Sequence, residues 1–232
     1  MALVEYDHEG SIAVITMNRP EKRNAITPEA QVEFNALLKK ADADNAVRVV
    51  ILTGAGGDFC VGGDFGAVET MLSDPAFRKE LARMHSENAE CLMMLSKPTI
   101  AAADGAAIGF GAELVAFCDL AVIGEDGFIA DTHIKFGLPP APGTTLLWPQ
   151  LTSRKVASEL LLTGRKVHAE EALRLGLVNR VAPRGKTLAI ARELAQEIAD
   201  LPEPGVRDAK SALRQSYYAL LEAANTETWK PR

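Results

Sequence analysis

Hydrophobic and polar positions change period several times along this chain. "SIAVITMN" (11–18) is rich in β-branched residues and alternates, which predicts a strand ending at Asn18. "NRPEKRNA" is a loop carrying Pro20. In "TPEAQVEFNALLKKADAD", Thr27 suits an N-cap and Pro28 the first helical position. Phe34, Leu37, Leu38 and Ala41 then mark one face of a helix. "VRVVILTG" is a continuous apolar run that stops at Gly54 and reads as a buried strand. Strand, helix and strand in this order predict a βαβ-type unit.

After the glycine-rich loop "GAGGDFCVGGD" (54–64), "SDPAFRKELARMHSENAECLMMLS" predicts a long helix opened by Ser73 or Asp74. Phe77, Leu81, Met84, Asn88, Cys91 and Leu95 follow one face of it. "KPTIAAADG" reads as a strand entering a turn, and Gly109 or Gly111 starts the helix that carries Glu113. "LAVIGEDGFIA" reads as a strand, an Asp-Gly turn and a second strand. "THIKFGLPPAPGTT" is a proline-rich loop. "SRKVASELLLTG", "AEEALRLG", "KTLAIARELAQEIADL" and "PGVRDAKSALRQSYYALLEAA" are helices. The pattern predicts an α/β protein: strands and helices mix to residue 181, and residues 182–232 form a helical region.

Composition narrows the function classes. The chain has 232 residues, 47% of them hydrophobic, and a net charge of −6. Its longest basic clusters, "EKR" and "GRK", are too short for a polyanion groove, so no nucleic-acid partner is expected. Cys60, Cys91 and Cys118 form no CxxC pair, and the four histidines are not spaced as metal ligands, so no metal is expected. The opening "MALVEYDHEG" is charged within its first ten residues, which predicts no signal peptide. No apolar run approaches the roughly 18 residues of a membrane span. A cytoplasmic location is expected.

The chemistry concentrates at "DGAAIGFGAEL" (104–114). Glu113 is the only ionisable side chain between Gly105 and Cys118. Unpaired burial there would shift its pKa by about two to five units, so this carboxylate is either paired or wanted for chemistry. Neither glycine-rich stretch is a dinucleotide fingerprint: Phe59 and Leu114 stand where GxGxxG needs its last glycine. Glycine turns can instead expose backbone N–H groups that converge on one oxygen, an oxyanion hole. The Phe110 N–H, at the start of the Glu113 helix, fits that role. Read without further context, Gly109 and Gly111 are better explained by close helix packing.

The chain resembles the crotonase family, also called the enoyl-CoA hydratase/isomerase superfamily. The resemblance rests on "NRPEKRNAIT", "VVILTGAGGDFCVGGD", "KPTIAAADGAAIGFGAELVAFCDLAV", "KFGLPPAPGTT" and "LLTGRKVHAEEALRLGLVNRV", in family order. It implies a spiral of ββα turns with a C-terminal helical region, trimers or hexamers, and acyl-CoA substrates without a permanently bound cofactor. It places the oxyanion donors at the Gly63 and Phe110 amides, where relatives often have glycine for Phe110. Coenzyme A would run along Arg23, Ala25, Val61, Gly63 and Asp64, and Asp64 is also an N-cap residue type.

One hydratase glutamate falls on Glu113, and the other falls on His133. Imidazole, with an unperturbed pKa of ~6.5, can do general acid–base work at neutral pH. β-Diketone-cleaving relatives are similar in placing a histidine near here, paired with an aspartate further along the loop. The corresponding place near Pro142 offers no carboxylate. His85, on the apolar stripe of its helix, is expected to pack or line a pocket. The chain ends at "NTETWKPR", earlier than the family leads one to expect, which implies altered coenzyme A binding. The expected activity is hydration or isomerisation of a 2-enoyl-CoA. The alternatives are a C–C hydrolase of β-diketones and a catalytically silent assembly subunit.

Overall fold

The computed structural model describes residues 2–227, with side chains described to residue 215. The last residues of "NTETWKPR" lie outside the described part. The elements run β1 (Val4–Glu9), β2 (Ile12–Met17), α1 (Pro28–Ala43), β3 (Val49–Gly54), α2 (Phe65–Ser73), α3 (Pro75–Met94), β4 (Thr99–Ala103), β5 (Ala106–Ile108) and α4 (Phe110–Phe117). They continue β6 (Leu120–Gly124), β7 (Phe128–Ala130), α5 (Pro142–Leu151), α6 (Arg154–Thr163), β8 (Val167–His168), α7 (Ala169–Leu175), β9 (Arg180–Ala182), α8 (Thr187–Ala199) and α9 (Glu203–Glu227).

The main sheet has the order β1-β2-β3-β4-β6-β9, and every pairing after the β1-β2 hairpin is parallel. Its strands read as unbroken apolar runs because both faces are covered. Ala13, Ile15, Met17, Val50 and Leu52 face the larger core with α1, α3 and α4, while Ile12, Val14, Val49 and Ile51 pack under α8 through Ala191, Leu194, Ala195 and Ala199. Capping follows the sequence: the Thr27 side chain accepts the Ala30 N–H, and Asp74 accepts those of Ala76 and Phe77. Among the described residues, no helix is long and apolar enough to cross a membrane.

Two local expectations change. The strands flanking the Asp126-Gly127 turn do not pair with each other: β6 lies in the main sheet, whereas β7 joins the small sheet β5-β7-β8. The proline-rich loop is also more ordered than its composition suggests. Residues His133–Phe136 form a 3-10 turn, and α5 begins inside the loop with Pro142 at its first position, where a missing N–H costs nothing.

Candidate active site

The small sheet positions the chemistry. β5 and β7 are parallel, with Ile108 opposite Ala130, and the Gly109 N–H donates to the Ala130 carbonyl at 2.9 Å. The residues that leave these strands, Gly109 and Asp131, therefore emerge side by side. A third segment joins them. Cys60 bridges Ala107 in parallel, and the Ile108 N–H donates to the Cys60 carbonyl at 2.8 Å. In that register, Gly63 lies three residues beyond one bridge partner and Phe110 three beyond the other.

Two positive-φ glycines turn the chain at this edge: Gly62 (φ 96°) before Gly63, and Gly109 (φ 55°) before Phe110. Their backbones touch, since a Cβ on Gly62 would sit 3.1 Å from the Ile108 carbonyl oxygen and 3.9 Å from the Gly109 Cα. Gly111 packs so closely on Cys60 that a Cβ would collide with its carbonyl. The amides of Gly63 and Phe110 donate to no protein acceptor recorded among the described residues, whereas the neighbouring Gly109 and Asp64 amides are both used, on Ala130 and Ile26. Phe110 N–H opens α4, so the helix dipole adds to its pull on an anion.

Glu113 lies one turn into α4 and is 6% exposed. Its Oε1 accepts the Gly143 N–H at 2.9 Å from the first turn of α5. Burial pushes its pKa up to about 7, against the opposing pull of the Gly143 hydrogen bond and the His133 charge.

The His133 ring lies over Gly109: a Cβ there would lie 3.4 Å from Cε1 and 3.9 Å from Nε2. Its carboxylate partner comes from before it in the chain, not from near Pro142. Asp131 Oδ1 lies 2.6 Å from His133 Nδ1, and the Asp131 side chain is fully buried. Burial disfavours the His133 imidazolium, yet the Asp131 hydrogen bond and the charges of Asp131 and Glu113 outweigh it and leave the pKa raised. For Asp131, burial would raise the pKa, but His133, Thr144 and the Ala141 amide together leave it lowered.

His85 packs on the Phe110 ring, with centroids 5.6 Å apart, and burial followed by the His133 charge pushes its pKa down to about 4. The expectation that His85 packs on the apolar side of its helix fits this contact.

The residues assigned to coenzyme A by resemblance also come together. The Ile26 N–H donates to the Gly62 carbonyl and the Asp64 N–H to the Ile26 carbonyl, which lays the 19–26 loop against the 60–64 loop. Arg19 Nη1 clamps the Ala25 carbonyl at 2.7 Å and Asp64 Oδ2 at 3.1 Å, while Asp64 Oδ1 caps α2 through the Gly66 N–H. Val61 is half-buried between the bridges of Cys60 and Gly63. The Arg23 guanidinium meets both Asp58 oxygens, at 2.6 and 3.2 Å, and so is engaged on the protein surface.

A family profile described as enoyl-CoA hydratase/isomerase matches residues 7–228. The chain belongs to the enoyl-CoA hydratase/isomerase family. A Thermus thermophilus protein provisionally named as an enoyl-CoA hydratase is 38% identical over 208 residues, spanning 88% of this chain and 81% of its own length. The short-chain-enoyl-CoA hydratase of Clostridium acetobutylicum is 29% identical over 219 residues, 94% of this chain and 83% of the relative. The crystal structure of an enoyl-CoA hydratase/isomerase from Mycobacterium paratuberculosis superposes with a TM-score of 0.91 at 32% identity, covering 97% of this chain and 89% of that one. That of a monofunctional enoyl-CoA isomerase from M. smegmatis gives 0.80 at 32% identity, with 94% of each chain covered. The expected crotonase fold is the one observed.

Asp131 and Gly143 are the site residues that sequence reasoning did not find. For Asp131 a signal existed: an aspartate two residues before a histidine, at the end of a predicted strand. For Gly143 there is none, because Pro139, Pro140 and Pro142 mask the start of the helix whose first turn carries it.

Proposed function

We propose that this chain acts on a 2-enoyl-CoA thioester, adding water across the double bond or shifting its position. The observation that carries the reading is the buried Glu113 carboxyl, poised near neutral pH and electrostatically coupled to His133, beside two uncommitted amides. The thioester oxygen would accept from the Gly63 and Phe110 N–H groups, and each donor of such a pair supports about 10²–10³ in rate. Ionised Glu113 takes a proton from a water whose oxygen bonds to C3. The C2=C3 electrons move into the thioester, giving an enolate held by the two amides. The His133 imidazolium returns a proton to C2, and transfer of the Glu113 proton to His133 resets the pair. Isomerisation would need only one of these groups, taking a proton at one carbon and returning it at another.

The coenzyme A moiety would run over the loops of Arg23, Ala25, Val61, Gly63 and Asp64. A homotrimer or homohexamer accompanies this reading, and light scattering at micromolar concentration tests it.

The pairing of His133 with the buried Asp131 favours one second reading, C–C hydrolysis of a β-diketone, in which the imidazole activates water. Assays of the wild type on short 2-enoyl-CoAs and on a cyclic β-diketone separate the two. Turnover of enoyl-CoA supports the first, turnover of diketone alone supports the second, and inactivity on both leaves the silent-subunit alternative.

A further inference from the structure

Asp131 is surrounded by donors. Its Oδ1 faces the His133 ring at 2.6 Å and accepts the His133 backbone N–H at 3.2 Å. Its Oδ2 accepts the Ala141 N–H at 3.0 Å and the Thr144 hydroxyl. The two backbone amides can only donate, whereas the Thr144 hydroxyl, which also reaches the Ala141 carbonyl at 3.0 Å, can donate or accept; the Asp131 side chain itself is fully buried. Burial alone would raise the Asp131 pKa, but the hydrogen bonds from His133, Thr144 and the Ala141 amide leave it lowered, so Asp131 is an anion that accepts from its neighbours. The imidazole must then present Nδ1–H to it. That leaves Nε2, on the Gly109 side, as the nitrogen free to exchange protons.

We propose that Asp131 is a positioning residue: it fixes the His133 ring and its Nδ1–H tautomer, so that Nε2 alone serves as acid and base, and Thr144 and the Ala141 amide hold Asp131 for that task. The inference rests on the reading of His133 as the partner of Glu113. It explains how an imidazole can take a place that the family gives to a carboxylate. An unanchored ring could rotate and swap tautomers, whereas a ring held through one nitrogen offers a single proton-transfer atom at a fixed place. The groups that face the imidazole are Asp131 at the exit of β7, Glu113 on α4 and His85 on α3.

The test is NMR titration of the full chain with isotope-labelled histidine, His133 being assigned with His133→Gln. In the wild type, the neutral form of His133 should carry its proton on Nδ1. Asp131→Asn, which turns an N–H₂ toward Nδ1, should move that proton to Nε2 and lower the ring's proton affinity tenfold or more. In enoyl-CoA turnover, Asp131→Asn should lower kcat about 10²-fold or more, with KM within about threefold, and shift the limb of the pH profile set by His133. A wild-type ring with its proton on Nε2 overturns the proposal without any variant, as does an unchanged tautomer in Asp131→Asn. Glu113→Gln separates this inference from the wider reading: turnover should fall while the His133 tautomer stays in place. Inactivity of the wild type on enoyl-CoA would remove the wider reading and still leave the tautomer to be measured.

Discussion

The Gly143 N–H holds the Glu113 carboxyl at 2.9 Å, and no larger residue fits at Gly143. A Cβ there would lie 2.5 Å from Phe117 Cε2 and 2.9 Å from Glu113 Oε1. The start of α5 thus fixes the Glu113 carboxyl by hydrogen bond and by steric limit. Gly143→Ala should lower stability by about 1–3 kcal/mol, the usual cost of overpacking. It should also reduce turnover by displacing the carboxyl. Denaturant unfolding and steady-state rates check both, and a variant as stable and active as the wild type would show that the contact is slack.

Stability should depend on pH through Glu113. Its carboxyl holds a proton up to about 7 in the folded chain, against 4.5 as the ordinary value. Between those pH values the folded state keeps a proton that the unfolded chain has released. Stability therefore falls as pH rises through this window and stays reduced above it. Glu113→Gln has nothing to ionise, so near pH 5 it should match the wild type and at pH 8 exceed it by on the order of 3 kcal/mol. Equal differences in melting temperature at the two pH values would mean that Glu113 is ionised without penalty.

Asn24 staples the loop that leads to Gly63. It is 1% exposed with φ 57°, donates to the carbonyls of Ala55 and Asp58 at 2.8 and 2.7 Å, and accepts the Arg19 N–H at 2.9 Å. Asn24→Ala should cost about 2–3 kcal/mol by leaving buried backbone groups unpaired and placing a less tolerant residue at positive φ. Gly63 sits on the loop that Ile26 pairs with, so KM for an acyl-CoA should rise as well. Chemical denaturation with unchanged midpoint would contradict the first part.

Lys210 anchors α9. Its Nζ lies 2.7 Å from both oxygens of Asp119, which also accepts the N–H and hydroxyl of Thr99. Lys210 is 7% exposed, so Lys210→Met leaves a largely sheltered carboxylate short of its cation and should cost about 2–4 kcal/mol. Hydrogen exchange along α9 should rise in the variant. Protection equal to the wild type would mean that apolar packing alone seats the helix.

Much of this architecture was legible because periodicity and capping agreed. Thr27 with Pro28 and the unbroken run from Val49 marked their elements, and Pro75 placed the start of the long helix, whose cap lay open between Ser73 and Asp74. What stayed hidden is short or locally contradictory. β5 and β8 are three and two residues long, too short to show a period, and β1 is an edge strand with largely exposed, polar side chains. Pro139, Pro140 and Pro142 argue for a loop, although the last of them starts α5. Glu113 and His133 could be named from residue type and resemblance. Asp131 had a local signal in its spacing from His133, but its place beside Gly109 needed the parallel pairing of β5 and β7, a long-range fact that sets the exit of one strand beside that of the other.

The most direct test of the central claim is the initial rate of water addition to a short trans-2-enoyl-CoA, measured for the wild type and Glu113→Gln at neutral pH. The account predicts measurable hydration by the wild type and a loss of about 10²-fold or more in the variant, the scale of losing a general acid–base group. Equal rates for the two proteins would contradict it.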